Sequence, residues 1–198
     1  MPAVRVITHD DIAAAMRLKE AAGWNQTEED WRNVMRLEPE GCFGIDCDGT
    51  LAATTTAVCY GRDLAWIGMV LTGPEFRGRG FARRLMCHAL DYLAARGVEW
   101  IKLDATDMGK PLYCSLGFED ECVVERWGRE PAPCDGPELP PLEEIPAALD
   151  REAFGADRLA LLRLLAPMGS ARGPEGGYAL CRPGTKAAYF GPCVSRSA

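Results

Sequence analysis

Leu64 to Thr72, reading LAWIGMVLT, is a nearly continuous apolar run that ends on Gly73-Pro74. A short apolar run bounded by turn residues reads as a strand buried on both faces. It is far too short to span a bilayer. The segment Gly73-Pro74-Glu75-Phe76-Arg77-Gly78-Arg79-Gly80 follows, and after it Phe81, Leu85, Met86, Ala89, Leu90 and Leu93 recur at the helical period as far as Gly97. A buried strand that runs through a basic, glycine-rich turn into an amphipathic helix requires a sheet with a helix on its face.

The rest of the chain extends that plan. Val4 to Ile7 reads as a strand, and Thr8 with Asp11 forms a capping box for a helix through Ile12, Ala15, Met16 and Leu18 that stops before Gly23. Thr27 with Asp30 caps a second helix through Trp31, Val34 and Met35. Cys42 to Asp46 and Leu51 to Tyr60 flank Asp48-Gly49, a strong hairpin signal. Val98 to Ala105 reads as a strand. Lys110 to Leu116 reads as a short helix closed by Gly117, and Phe118 leads into a strand through Val123, Val124 and Trp127. Residues 129–142 are rich in proline and acidic residues and read as a linker. Beyond them come a helix around Arg158 to Leu165 and a hairpin of Gly177 to Cys181 and Lys186 to Phe190.

The expectation is an α+β fold with a mixed, mainly antiparallel sheet of six or seven strands and helices on both faces. It occupies 1–128 and is followed by a linker at 129–142 and a partial α+β region at 143–198. Strands 64–72 and 98–105 should be neighbours that splay apart. The leucines of 159–165 are too apolar to stand in water, so that helix must pack on something. The hairpin edges should pair with the first domain or with another subunit, which would make a homodimer.

The chain has 198 residues, 22 Lys+Arg against 29 Asp+Glu and a net charge of −7, which argues against a nucleic-acid partner. Nine cysteines without a C-x-x-C pair, and two histidines, give a zinc cluster little to work with, so no metal is expected. The odd cysteine count and the absence of an apolar leader in MPAVRVITHDD predict reduced thiols in a soluble, cytoplasmic protein with no membrane partner.

The chemistry centres on Arg77-Gly78-Arg79-Gly80-Phe81-Ala82. Backbone N–H groups at a helix start have no intrahelical acceptor, and glycine lets a ligand approach them closely. Together with Arg77, Arg79, Arg83 and Arg84 they could cradle a phosphate or pyrophosphate. A tight turn with a solvated basic face explains this hexamer equally well. It is not a P-loop, because no Lys-Ser/Thr follows the glycines, and the dinucleotide spacing fails.

The order of elements, Arg77-x-x-Gly80-x-Ala82, and the later Tyr113-x-x-x-Gly117-Phe118 resemble the GNAT superfamily of N-acetyltransferases. Gly80 and Tyr113 are 33 residues apart, enough for one helix, one strand and a short helix. The resemblance implies acetyl transfer from acetyl-CoA to the amine of a small or amino-acid-like molecule. It implies cofactor contacts at Leu71, Thr72, Arg77, Gly78, Arg79, Gly80, Phe81, Ala82 and Arg83. Backbone around Leu71 and Thr72 would lie along the pantetheine and donate to the thioester carbonyl. Tyr113 matches the family's general acid, and Trp24 with Asn25 falls in its acceptor-side loop. The family's frequent glutamate is missing from Trp66 to Thr72, and Thr106 stands where an asparagine is usual.

The stretches Gly23 to Thr27 and Asp150 to Arg158 resemble a bacterial subgroup with a second, degenerate GNAT-like region. A non-catalytic acyl-CoA-binding module and a protein N-acetyltransferase are the alternatives. His88 is expected to be a half-buried structural residue and Cys114 a small buried thiol.

Overall fold

The computed structural model describes residues 2–130, 140–173 and 176–196. Five strands, β1 (Val4–Val6), β2 (Cys42–Cys47), β3 (Thr50–Tyr60), β4 (Leu64–Thr72) and β5 (Trp100–Lys102), form one sheet in the order β1-β2-β3-β4-β5. Neighbours are antiparallel except β4 and β5, which are parallel. Asp48 (φ 52°) and Gly49 (φ 75°) both take the left-handed region, giving the β2–β3 hairpin the turn that suits twisted strands.

Helices α1 (Ile12–Ala21) and α2 (Glu28–Leu37) cover one face and α3 (Phe81–Ala95) the other. Thr8 and Asp11 form the expected capping box ahead of α1, and Thr27 with Asp30 does the same for α2. Phe43, Ile45 and Ile67 meet Leu85, Met86, Ala89 and Leu93 on one side, while Ile12, Leu18, Trp31 and Met35 meet Leu51 and Leu71 on the other. Central β3 reads AATTTA across its middle, and these small side chains, all buried, let both helical layers approach the sheet.

Two irregularities shape β4. Thr54 pairs with Leu71 but Thr56 pairs with Gly68, so Met69 and Val70 together oppose Thr55 in a β-bulge. Met69 takes φ 49°, and its carbonyl accepts from Thr54 Oγ1 at 2.8 Å. The extra residue shifts the alternation: Ala65 and Ile67 face α3, whereas Met69 and Leu71 belong to the α1–α2 core. The second irregularity is the pairing with β5, which runs from Leu64↔Trp100 to Trp66↔Lys102 and stops. The remainder of β4 has no strand on that side among the described residues.

Three expectations need correction. The strand anticipated at 98–105 forms only over Trp100–Lys102, because residues 103–105 leave the sheet. No strand forms over residues 118–130. Val123 (89% exposed), Val124 and Trp127 stand in solvent, since an edge strand as short as β5 offers them little to pair with. The first sheet therefore has five strands, not six or seven. β6 (Ser170–Arg172), β7 (Tyr178–Arg182) and β8 (Tyr189–Val194) make a separate antiparallel sheet, and neither edge of it joins the first. Most of the anticipated linker at 129–142 lies outside the described residues.

Before that small sheet come α5 (Ala147–Phe154), stopped by Gly155 at φ 87°, and α6 (Leu159–Leu165). Leu162 and Leu165 pack against Tyr178 and Leu180. Asp150, 2% exposed, takes two guanidinium nitrogens of Arg158 at 2.8 and 3.0 Å and the hydroxyl of Tyr178. Arg158 lies over the Phe154 ring, which meets Tyr60 edge-on and stacks on Trp66. Arg182 pairs with Asp30 of α2 at 2.9 Å. The C-terminal region therefore docks on the first domain through side chains.

Asp150→Ala removes one half of a buried ion pair and strands the Arg158 guanidinium. The expected loss is about 3–5 kcal/mol, read as a lower denaturation midpoint. A midpoint equal to wild type would show that the pair does not hold the region together.

Candidate active site

The end of β4 is the first component of the site. The N–H of Gly73 donates to Ala52 O at 2.9 Å, which fixes the phase of the β3–β4 ladder. By alternation, Leu71 turns its N–H into β3, while Thr72, opposite Ala53 in the non-bonded pair, turns its N–H to the open side. Of the two residues anticipated here, Thr72 thus offers the donor and Leu71 a buried side chain in the α1–α2 core. Thr72 Oγ1 is buried without a hydrogen-bond partner among the described residues.

The loop after β4 is the second component. A 3-10 turn over Pro74–Phe76 leads to Gly78 (φ 73°) and Gly80 (φ 77°), and α3 begins at Phe81. The first turn of α3 closes with Arg84 N–H on Gly80 O. The N–H groups of residues 78–83 find no backbone acceptor among the described residues. A Cβ added to Gly78 or Gly80 would meet nothing within 4 Å, so this backbone is open to a ligand.

The arginines around it divide their work. The guanidinium of Arg77 is exposed and makes no hydrogen bond or ion pair among the described residues. Arg79 folds back over Phe76 and donates to Glu75 O at 3.2 Å. Arg83 donates to Ser115 Oγ at 2.8 Å. Arg84 turns away and donates to the carbonyl of Pro2.

Tyr113, on α4 (Lys110–Cys114), is the third component. The Arg83–Ser115 bond ties α4 to the start of α3, and Phe76, Phe81 and Tyr113 share one core. Thr106 accepts the N–H of Gly109 and so shapes the turn into α4. The Tyr113 ring packs over Gly109, where an added Cβ would stand 2.8 Å from a ring carbon. Glycine is required there by the ring, a demand that the Tyr113 motif alone does not reveal. The hydroxyl has no protein hydrogen bond among the described residues, and burial pushes its pKa up, so the phenol holds its proton.

On the opposite side of β4, Trp24 packs half-buried against the core that contains Met69 and Leu71. Asn25 has a different occupation from the one anticipated. Its Oδ1 accepts the N–H groups of Lys186 and Ala187, its Nδ2 donates to Ala187 O, and its carbonyl accepts from Thr185 N–H. It fastens the C-terminal hairpin loop and has little left for a substrate. Glu75 turns its carboxylate toward Gly73, whose added Cβ would lie 3.1 Å from Oε2.

His88 is exposed, not half-buried, and meets Phe43 edge-on. Cys114 is exposed, not buried. Burial pushes the thiol of Cys42 up to about 12 and that of Cys59 to about 11, with Glu38 adding to both, so neither is a nucleophile near neutral pH. No group of His, Cys, Asp and Glu among the described residues is placed to hold a metal, and no helix among them is long and apolar enough to cross a membrane.

Residues 8–118, which carry the parted strand pair, the bare glycine loop and Tyr113, match the acetyltransferase (GNAT) family. The chain belongs to the GNAT family. An uncharacterized N-acetyltransferase of Methanocaldococcus jannaschii is 26% identical over 145 residues, a match covering 64% of this chain and 64% of that protein. The crystal structure of a putative acetyltransferase from Pyrococcus horikoshii superposes with a TM-score of 0.82 at 23% identity, over 98% of this chain and 71% of that one. That fold likeness includes the C-terminal region, which the family match does not reach. The ribosomal-protein-S18-alanine N-acetyltransferase of Escherichia coli superposes with a TM-score of 0.54 at 23% identity, over 62% of this chain and 80% of that one.

Proposed function

We propose that this GNAT protein is an N-acetyltransferase that moves the acetyl group of acetyl-CoA to the amine of a small acceptor by direct attack. The observation that carries this reading is the unpaired edge of β4 beyond Trp66, flanked by the bare N–H groups of residues 78–83 and by Tyr113. An extended pantetheine fits an unpaired strand edge, because that edge supplies backbone donors and acceptors at strand spacing. The pyrophosphate fits the loop, where Gly78 and Gly80 leave room and the helix start favours negative charge. Arg77 and Arg79 add cationic groups, and Phe81, Ala82 and Arg83 contribute the first N–H groups of α3.

Each residue has a physical task in the transfer. Thr72 N–H, turned to the open side, donates to the thioester oxygen as its negative charge grows. The leaving sulfur, whose thiol pKa is about 8.5, takes a hydrogen bond or a proton from Tyr113, a phenol that burial keeps protonated well into the alkaline range. Trp66 to Thr72 supplies no carboxylate to serve as base. The acceptor ammonium, with a pKa of about 10, therefore loses its proton to solvent, at a cost of about 4 kcal/mol at neutral pH.

Release of CoA thiol from acetyl-CoA with a pooled amine library tests the function, and amine-dependent release is expected. Because only the neutral amine attacks, kcat/KM for a simple alkyl amine should rise about tenfold per pH unit from 6 to 9. It should fall only where Tyr113 ionises, above the ordinary tyrosine range. A plateau beginning below pH 8 would reveal a protein base and contradict this account.

The loop assignment predicts that acetyl-CoA raises the melting temperature of the wild type, less so at high salt. Gly80→Val puts a β-branched side chain at φ 77° in the ligand's path and should abolish that shift. An undiminished shift in the variant would remove the pyrophosphate from this loop.

A further inference from the structure

Where the end of α1 meets the C-terminal hairpin loop, the chain buries a positive charge without a counter-charge. Lys19 is 3% exposed. Its ammonium donates to Thr185 Oγ1 at 3.1 Å, and no carboxylate lies within 4.0 Å of it among the described residues. An ammonium has three donors, and this neutral hydroxyl takes one. A buried charge is ordinarily paired, and an anion is the group that would complete this one. The ammonium of Lys186 lies in the same seam, on Gly23 O, and it too has no carboxylate partner among the described residues, on a chain of net charge −7. Gln26 Oε1, in the same connection between α1 and α2, is buried without a partner.

The seam is well fastened. Asn25 alone contributes four hydrogen bonds to the loop. The seam also adjoins the reacting edge. Leu18, the neighbour of Lys19, places a methyl 3.2 Å from where a Cβ on Gly73 would stand, directly after Thr72. Trp24, one residue from Asn25, packs against the core of Met69 and Leu71.

We propose that Lys19 binds an anionic group of the acceptor, so that the acceptor is an amine carrying its own carboxylate or phosphate. The loop at 182–187 is the wall that holds Lys19 in place. This rests on the N-acetyltransferase reading and narrows it to a class of acceptor.

Matched acceptor pairs test it. L-amino acids against their α-amides form the carboxylate arm, and phosphoethanolamine against ethanolamine forms the phosphate arm. In the wild type the anionic member of at least one arm should have a kcat/KM roughly ten- to a hundredfold higher, chiefly through KM, as expected for a charge-assisted hydrogen bond. The arm that shows the preference identifies the anion. Lys19→Met should bring that ratio close to one with the KM for acetyl-CoA unchanged, and Lys19→Arg should retain most of it.

A ratio near one in both arms of the wild type overturns the proposal without needing any variant to fold. A preference that survives in Lys19→Met overturns it too. CoA release from no member of either arm would overturn the transferase reading itself, an outcome distinct from a flat ratio.

Discussion

β4 can pair with β5 over three residues and no further, and the site depends on that limit. Beyond Trp66 the outer side of β4 has no strand among the described residues, because the chain leaves the sheet after Lys102 to make the Thr106 turn into α4. The bulge at Met69 acts on the same stretch. It moves Met69 and Leu71 into the α1–α2 core and leaves the N–H of Thr72 facing the gap. A regular β4 fully paired to β5 would have neither a free edge nor a free donor. Unpaired strand edges invite association, and here the edge is short and leads into the cationic turn at Arg77 and Arg79.

The charge distribution follows the same economy. The chain as a whole is acidic, yet Arg77, Arg79 and Arg83 gather where α3 begins, adding full charges to the helix start's partial one. Arg79 and Arg83 are held by Glu75 O and Ser115 Oγ, which restricts their side chains. The C-terminal region acts on the opposite side of β4. It contributes no strand to the first sheet, but through Arg182, Thr185 and Lys186 it fixes the connection between α1 and α2 on which Trp24 sits.

Most of the fold was legible wherever the pattern was local and strong. The capping boxes at Thr8 and Thr27, the Asp48-Gly49 hairpin, the run from Leu64 to Thr72 and the period of α3 each state their own structure. The strand anticipated through Val123, Val124 and Trp127 has the right residue types, but it needs a partner that the short β5 does not provide. β6 is three residues long and carries no pattern of its own. The glycine turn into α3 and the short helix that carries Tyr113 were legible as local structure, because motif and spacing agree. The occupation of Asn25 was not, since it depends on residues more than 150 positions away. Nor was the bulge, because Met69 resembles any other apolar residue of the run.

The central claim is that the gap beside β4 is a site of acyl transfer in which Tyr113 serves the leaving sulfur. Turnover and acetyl-CoA affinity of Tyr113→Phe, measured side by side, test it most directly. The hydroxyl makes no structural hydrogen bond among the described residues, so its removal should leave affinity and folding intact. Turnover should fall roughly ten- to ten-thousandfold, the range for losing a positioned acid. Wild-type turnover in this variant would reduce Tyr113 to a packing residue and contradict the account.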